Sequence, residues 1–250
     1  MKAMIFAAGL GTRLKPLTDN KPKALVELNG KTLLQWQIEK LKNAGITDII
    51  VNVHHFAELI IDYLREHHNF GCNITISDER DLLLDTGGGL RHVVESLKLK
   101  VESDSILALN VDILSNIDIQ ALVAAYEQDG ISRLVVSHRQ TSRYLLFDEE
   151  RHLVGWTNVA TGEVKGNDEL IALWANDELI RLAFSGMQIL SPHVCARLLE
   201  RKENVFSLID FYLDICQKEI LQAYVPEDYR MFDVGKFEHL SEAQAFAASL

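Results

Sequence analysis

Apolar positions along the chain fall into short runs separated by segments of helical period, and the alternation is regular through the first half. Residues 2–8 form an apolar run that predicts a buried strand, and a glycine-rich loop continues from it through Pro22. In residues 32–44, Leu34, Ile38 and Leu41 stand at i, i+4 and i+7 on one helical face, which Gly45 ends. A strand at 48–53, a helix at 55–68, an alternating strand at 73–77 and a helix at 90–97 are expected next. A buried strand at 105–110, a helix at 117–128 and a strand at 131–138 follow. This order predicts an α/β fold: a doubly wound, mostly parallel sheet covered on both faces, with right-handed crossovers.

After about residue 140 the pattern changes to short strand-like pieces with turns, so residues near 140–185 are expected to form a small β-rich insertion on the substrate side. Ser191-Pro192 reads as an N-cap followed by proline at the first helical position, opening a helix to about residue 200. A helix at 205–218, strands at 220–225 and 230–234, and a terminal helix at 236–249 complete the reading. Ligands of such sheets sit at the carboxyl ends of strands near a switch in strand order. That rule directs attention to residues 8–23, 85–89, 110–112 and 233–235.

Composition adds exclusions. With 48% hydrophobic and 24% charged residues the chain is an ordinary globular sequence. The longest apolar runs, such as residues 46–53, are far short of a membrane span, and no leader-like cleavage pattern precedes the first strand. Three scattered cysteines, Cys72, Cys195 and Cys216, make no disulfide framework. A cytoplasmic protein with no membrane partner is the expectation. A net charge of −11 argues against nucleic acid as a partner. The charge is uneven, however: residues 1–23 hold Lys2, Arg13, Lys15, Lys21 and Lys23 against the single acid Asp19, a local field suited to phosphate.

Gly9 and Gly11 come where a phosphate-cradling turn would form. Leu14 stands where a dinucleotide fingerprint needs Gly or Ala and a P-loop needs its second Gly, so both are rejected. The nine histidines form no zinc pattern and no G-x-S-x-G elbow occurs. Asn110-Val111-Asp112 ends an apolar strand, and Met231-Phe232-Asp233-Val234-Gly235 repeats the arrangement far along the chain. Mg²⁺ takes one or two carboxylates together with substrate phosphates, so a carboxylate at a strand end is well placed to hold it.

The segment Ala7-Ala8-Gly9-Leu10-Gly11-Thr12-Arg13-Leu14, continued by Pro22-Lys23-Ala24-Leu25, closely resembles the signature of the sugar-1-phosphate nucleotidyltransferases. The resemblance implies a glycosyltransferase A-like, Rossmann-like single domain over residues 1–250. Its nucleotide-binding part would be about 1–139 and its sugar-binding part about 140–250. The implied partners are a nucleoside triphosphate and a sugar 1-phosphate, with a homodimer left open. The implied roles are Arg13 on the triphosphate, Lys23 on the reacting phosphates, and Asp112 and Asp233 on Mg²⁺. Ala7, Ala8, Gly9, Gly11, Thr12, Thr86, Gly87 and Asn110 would complete the nucleotide site. Leu84-Asp85-Thr86-Gly87-Gly88-Gly89 is expected as a turn ahead of a helix, its backbone reading the base edge. In form it is most similar to the uridylyltransferase branch acting on N-acetylmuramate 1-phosphate. Guanylyltransferases for mannose or heptose 1-phosphate carry related runs, and choline-phosphate cytidylyl transfer is a further option. Ser185 and Gly186 resemble the family's sugar-bordering pair, and Glu163 with Lys165 its Glu-x-Lys element. Departures are Val111 where glycine is common, Ala24 where proline is, and Lys236, read as an exposed first-turn residue, where threonine is. A non-catalytic nucleotide-sugar sensor could lose Arg13, Lys23, Asp112 or Asp233 without penalty, and all four are present.

Overall fold

A computed structural model of the chain describes residues 1–96, 104–166, 168–175, 178–235 and 239–250. Strand β1 (Lys2–Phe6) opens the chain and buries alternate residues on opposite faces: Ala3 and Ile5 pack to one side, Met4 and Phe6 to the other. A strand apolar on both faces belongs in the middle of a sheet. The hairpin β2 (Glu27–Leu28) and β3 (Lys31–Thr32) leads into α1 (Leu33–Asn43). Thr32 caps α1 by accepting from Gln35 N at 3.0 Å.

Next come β4 (Asp48–Val53), α2 (Ala57–Glu66), β5 (Asn73–Asp78), α3 (Asp85–Ser96) and β6 (Ile106–Asn110). These four long strands form the parallel core in the order β6-β1-β4-β5. Then follow β7 (Ile113–Ser115), α4 (Ile119–Glu127), β8 (Ser132–Ser137), β9 (Arg143–Phe147), β10 (Leu153–Asn158), β11 (Glu163–Lys165) and α5 (Asp168–Ala175). Strand β12 (Ile180–Leu190), α6 (Pro192–Leu198), α7 (Leu208–Ile215), β13 (Leu221–Tyr224), β14 (Met231–Asp233) and α8 (Leu240–Ala247) complete the chain.

The eleven residues of β12 tie the architecture together. Met187–Leu190 runs antiparallel to β6 at the edge of the parallel core. Ile180–Leu182 runs antiparallel to β9, which continues through β10 to β11. Strand β8 also pairs with β12, with a register shift between Phe184 and Gln188. Helices α1, α2, α4 and α8 cover one face of the sheet through residues such as Leu34, Ile38, Ile60, Leu122 and Ala243. Helices α3, α6 and α7 cover the other through Leu90, Val93, Val194, Leu198, Phe211 and Tyr212.

Three points differ from expectation. Helix α3 starts at Asp85, not at 90, so the glycine run lies inside its first turns. Helix α5 interrupts the β-rich stretch. Helix α7 starts at Leu208 under a Ser207 cap rather than at 205. The expectation for Lys236 lies outside the described residues. No helix among the described residues is long and apolar enough to cross a membrane.

Candidate active site

The four places marked by the strand-end rule meet around one cavity of about 540 Å³. It is lined by Ala7, Ala8, Gly9, Gly11, Thr12 and Arg13 from the loop after β1, and by Lys23 beyond it. Asn52 and Glu79 close its floor from the ends of β4 and β5, Asp85 and Thr86 come from α3, and Asn110, Val111 and Asp112 from the end of β6. Val205 and Gly235 complete the wall. Of the nucleotide set read from the sequence, Gly87 alone does not line this space.

The floor is held by a chain of hydrogen bonds that the sequence reading did not single out. Ala7 N and Ala8 N donate to Asn52 Oδ1 at 2.7 and 3.3 Å, and Asn52 Nδ2 donates to Glu79 Oε1 at 2.7 Å. Glu79 Oε2 in turn accepts from Leu84 N at 3.2 Å, just ahead of α3. Glu79 is 2% exposed. Burial pushes its carboxyl above the ordinary value, opposed by the Asn52 and Leu84 hydrogen bonds and by His92 and His54. One buried amide and one buried carboxyl thus register the ends of β1, β4 and β5 against the entry of α3. The available signal was Asn52 itself, a polar residue near the carboxyl end of an apolar strand.

Charge gathers on the opposite wall. Lys23, 8% exposed, forms an ion pair with Asp112. Asp112 stands between β6 and β7, and its carbonyl accepts from Val234 N at 2.9 Å, extending the β7–β14 ladder that carries Asp233. The two aspartates are thereby brought together across the chain. Asp233 is exposed at the end of β14. Partial desolvation and the neighbouring Asp112 push its carboxyl up, while Lys23, Arg13 and Arg139 pull it back. A Cβ placed on Gly235 would lie 2.7 Å from Asp233 Oδ1 and 3.5 Å from Arg13 Nη2, which places those two groups around one small volume. Helix α1 fixes the far edge of this ribbon. Fully buried Gln37 donates to the carbonyls of Val111 and Ile113 at 3.3 and 2.9 Å, and Lys40 donates to Ser115 O at 2.8 Å.

The glycine run serves packing. Gly87 N and Gly88 N donate to Phe206 O at 2.9 and 3.1 Å. A Cβ on Gly87 would sit 2.4 Å from the Phe206 ring, and one on Gly88 would sit 2.1 Å from Asn204 O. A Cβ on Gly89 would sit 2.6 Å from Glu79 Oε1. The backbone approached closely by these glycines is therefore the protein's own. Thr86 faces the cavity, yet its hydroxyl accepts from Leu208 N at 3.0 Å and so closes the first turn of α7.

On the other side, Ser185 and Gly186 lie in β12 beside the core: a Cβ on Gly186 would be 2.8 Å from Asn110 Nδ2. Neither lines the cavity. Glu163 stands exposed on β11, 4.0 Å from Lys165, which also faces Asp210 at 3.6 Å. It is not brought to the cavity in this structure. Among the described residues no cluster of three or more His, Cys, Asp or Glu gathers as a metal cage.

The chain matches the nucleotidyl transferase family over residues 2–249. It is 30% identical over 254 residues to N-acetylmuramate alpha-1-phosphate uridylyltransferase of Caulobacter vibrioides, covering 99% of this chain and 94% of that one. It is 30% identical to mannose-1-phosphate guanyltransferase of Saccharomyces cerevisiae over 239 residues, 94% of this chain and 62% of that one. HddC from Yersinia pseudotuberculosis, solved in complex with GMP-PN, superposes with a TM-score of 0.74 at 22% identity, covering 98% of this chain and 99% of that one. A putative glucose-1-phosphate thymidylyltransferase from Bacillus anthracis superposes with a TM-score of 0.80 at 19% identity, over 100% and 96% of the two chains. The strand-end cavity, the phosphate-suited loop and this match along nearly the whole length agree: the chain belongs to the nucleotidyl transferase family and is a sugar-1-phosphate nucleotidyltransferase.

Proposed function

We propose that the chain transfers a uridylyl group from UTP to N-acetylmuramate 1-phosphate in the cytoplasm, with Mg²⁺ as cofactor. The observation that supports it most is the gathering of Arg13, Lys23 and Asp112 at the wall of the cavity, with Asp233 close enough to feel all three, in a chain matched from end to end by an N-acetylmuramate alpha-1-phosphate uridylyltransferase. An oxygen of the sugar phosphate attacks the α-phosphorus of the triphosphate. The bond from that phosphorus to the α–β bridging oxygen breaks, and pyrophosphate leaves with the electron pair. The attacking oxygen is already anionic, so no enzyme nucleophile or base is required. Arg13 can clamp the departing phosphates with its planar fork, and Lys23 supplies a mobile charge to the incoming one. Residues from about 140 onward carry the acceptor.

Asp112 and Asp233 fit Mg²⁺. They are two carboxylates close enough to repel, beside a cavity that Asp112 lines, a donor set that would suit a divalent cation shared with substrate phosphate. When bound there, the ion would neutralise phosphate charge. Lys23 can exchange Asp112 for phosphate as substrate arrives.

A pyrophosphate-release screen of UTP, GTP, CTP and dTTP against N-acetylmuramate, mannose and heptose 1-phosphates tests the reading. UTP with N-acetylmuramate 1-phosphate should give the highest kcat/KM. GTP preferred by about tenfold or more, a ratio set by about 1.4 kcal/mol, would replace it with guanylyl transfer, the reading favoured by the yeast relative. Omitting Mg²⁺, or changing Asp112 to Asn, should cut turnover by orders of magnitude with the fold intact.

A further inference from the structure

A second cavity, about 490 Å³, opens at the end of β8 and is lined in part by Ser137, His138, Arg139, Tyr229 and Arg230. Among the described residues no carboxylate lines it, although the chain carries a net charge of −11. The guanidinium of Arg139 donates to Phe184 O at 3.0 Å, immediately before Ser185 and Gly186, and makes no ion pair among the described residues. Ser137 is 9% exposed, and its hydroxyl is buried without a hydrogen-bond partner. Tyr229 reaches back from this cavity toward the hydroxyls of Ser185 and Ser115, and the field of Arg139 is felt both there and at Asp233. Cationic, with a buried and unpartnered hydroxyl in its lining, this space lies on the flank of the reacting centre where the parallel core gives way to the β9–β11 strands.

We propose that Arg139, with Ser137 and Tyr229, forms a subsite for a carboxylate carried on the sugar ring, so that the enzyme selects an acidic sugar 1-phosphate over its neutral counterpart. This rests on the acceptor assigned above, whose lactyl ether is such a carboxylate. A guanidinium suits it because its planar N–H pair matches both carboxylate oxygens. Arg139 is exposed in this structure, so a neutral sugar at the same place forgoes the pair without any repulsion.

The test compares N-acetylmuramate 1-phosphate with N-acetylglucosamine 1-phosphate, which lacks only the lactyl group, in the wild type, Arg139→Gln and Arg139→Lys. Arg139→Gln should lower kcat/KM for the acidic sugar at least about tenfold more than for the neutral one, mostly through KM, as loss of a charge-assisted pair implies. Arg139→Lys should recover part of it. Calorimetric binding of the two UDP-sugars gives the same comparison if one sugar phosphate turns over too slowly. Equal losses on both sugars would overturn the subsite while leaving the acceptor assignment standing. A wild type that neither turns over N-acetylmuramate 1-phosphate nor binds its UDP-sugar would overturn the assignment and the subsite together.

Discussion

Lys23 illustrates how one side chain can be buried and still border open space: its ammonium is held against Asp112 at the wall of the cavity. Changing Lys23 to Ala should reduce kcat/KM by roughly 100-fold or more, since a cation aimed at developing phosphate charge is lost. Arg13→Lys should restore only part of the Arg13→Ala loss, because the fork is gone. Steady-state pyrophosphate release measures both, and near-wild-type Lys23→Ala would remove that residue from the mechanism. Lys40 obeys a different balance. Burial pushes its ammonium down to about 8 from 10.5, so the unfolded chain binds the proton more tightly. Protonation therefore weighs against the fold below that window, and stability rises as pH climbs from about 8 to about 10.5. Urea unfolding of the wild type relative to Lys40→Met should show the difference growing with pH across the window. Legibility at this scale depended on locality. Arg13, Lys23, Thr12 and Asn110 sit in or beside short runs that resemble the family's signature, so the resemblance alone was enough to mark them. Asn52, Glu79 and Arg139 act through partners dozens of positions away, and no local spacing announces them.

At the scale of elements, the glycine run was legible as a place where something comes close, but its partner was not. In isolation three glycines disfavour a helix by roughly 1 kcal/mol each, which argued for a turn. Contact with residues 204–206 reverses that outcome. Gly87→Val should therefore lower stability by about 1–3 kcal/mol or more through overpacking against Phe206, detected as a lower urea midpoint before any effect on substrate. Unchanged stability with weakened UTP binding would instead return the run to direct base contact. Helix α1 was read correctly as an amphipathic element, yet period alone does not reveal that Gln37 and Lys40 hold the strand carrying Asp112. Gln37→Leu leaves the carbonyls of Val111 and Ile113 unpaired, at a cost of about 1–3 kcal/mol. It should also raise the Mg²⁺ concentration for half-maximal rate, whereas a purely structural role would change the urea midpoint alone. Helix α5 was missed because β-rich neighbours set the expectation for the whole stretch.

For the whole molecule, the parallel order of β6, β1, β4 and β5 was legible because each strand is a short apolar run between helices of clear period. The antiparallel remainder was less so, since β12 belongs to two neighbourhoods at once. Gly186, at φ 67° and 2.8 Å from Asn110 Nδ2 if given a Cβ, lies inside its register shift. Gly186→Ala should strain the backbone, displace Asn110 and lower kcat more than either KM. Paired kinetics and circular dichroism would show this, and a change confined to the KM for the sugar would contradict it. The continuity of β12 has an evolutionary corollary. A single covalent rod pairs with the parallel core at one end and with β9 at the other, so, on the acceptor side proposed above, the offset between donor and acceptor is inherited rather than adjusted. New acceptor preferences can then arise by rewriting the loops and strands hung on its first half, while the β7–β14 ribbon and the loop after β1 stay unchanged. Diversification of such an enzyme would proceed like refitting one jaw of a vice whose screw is never touched.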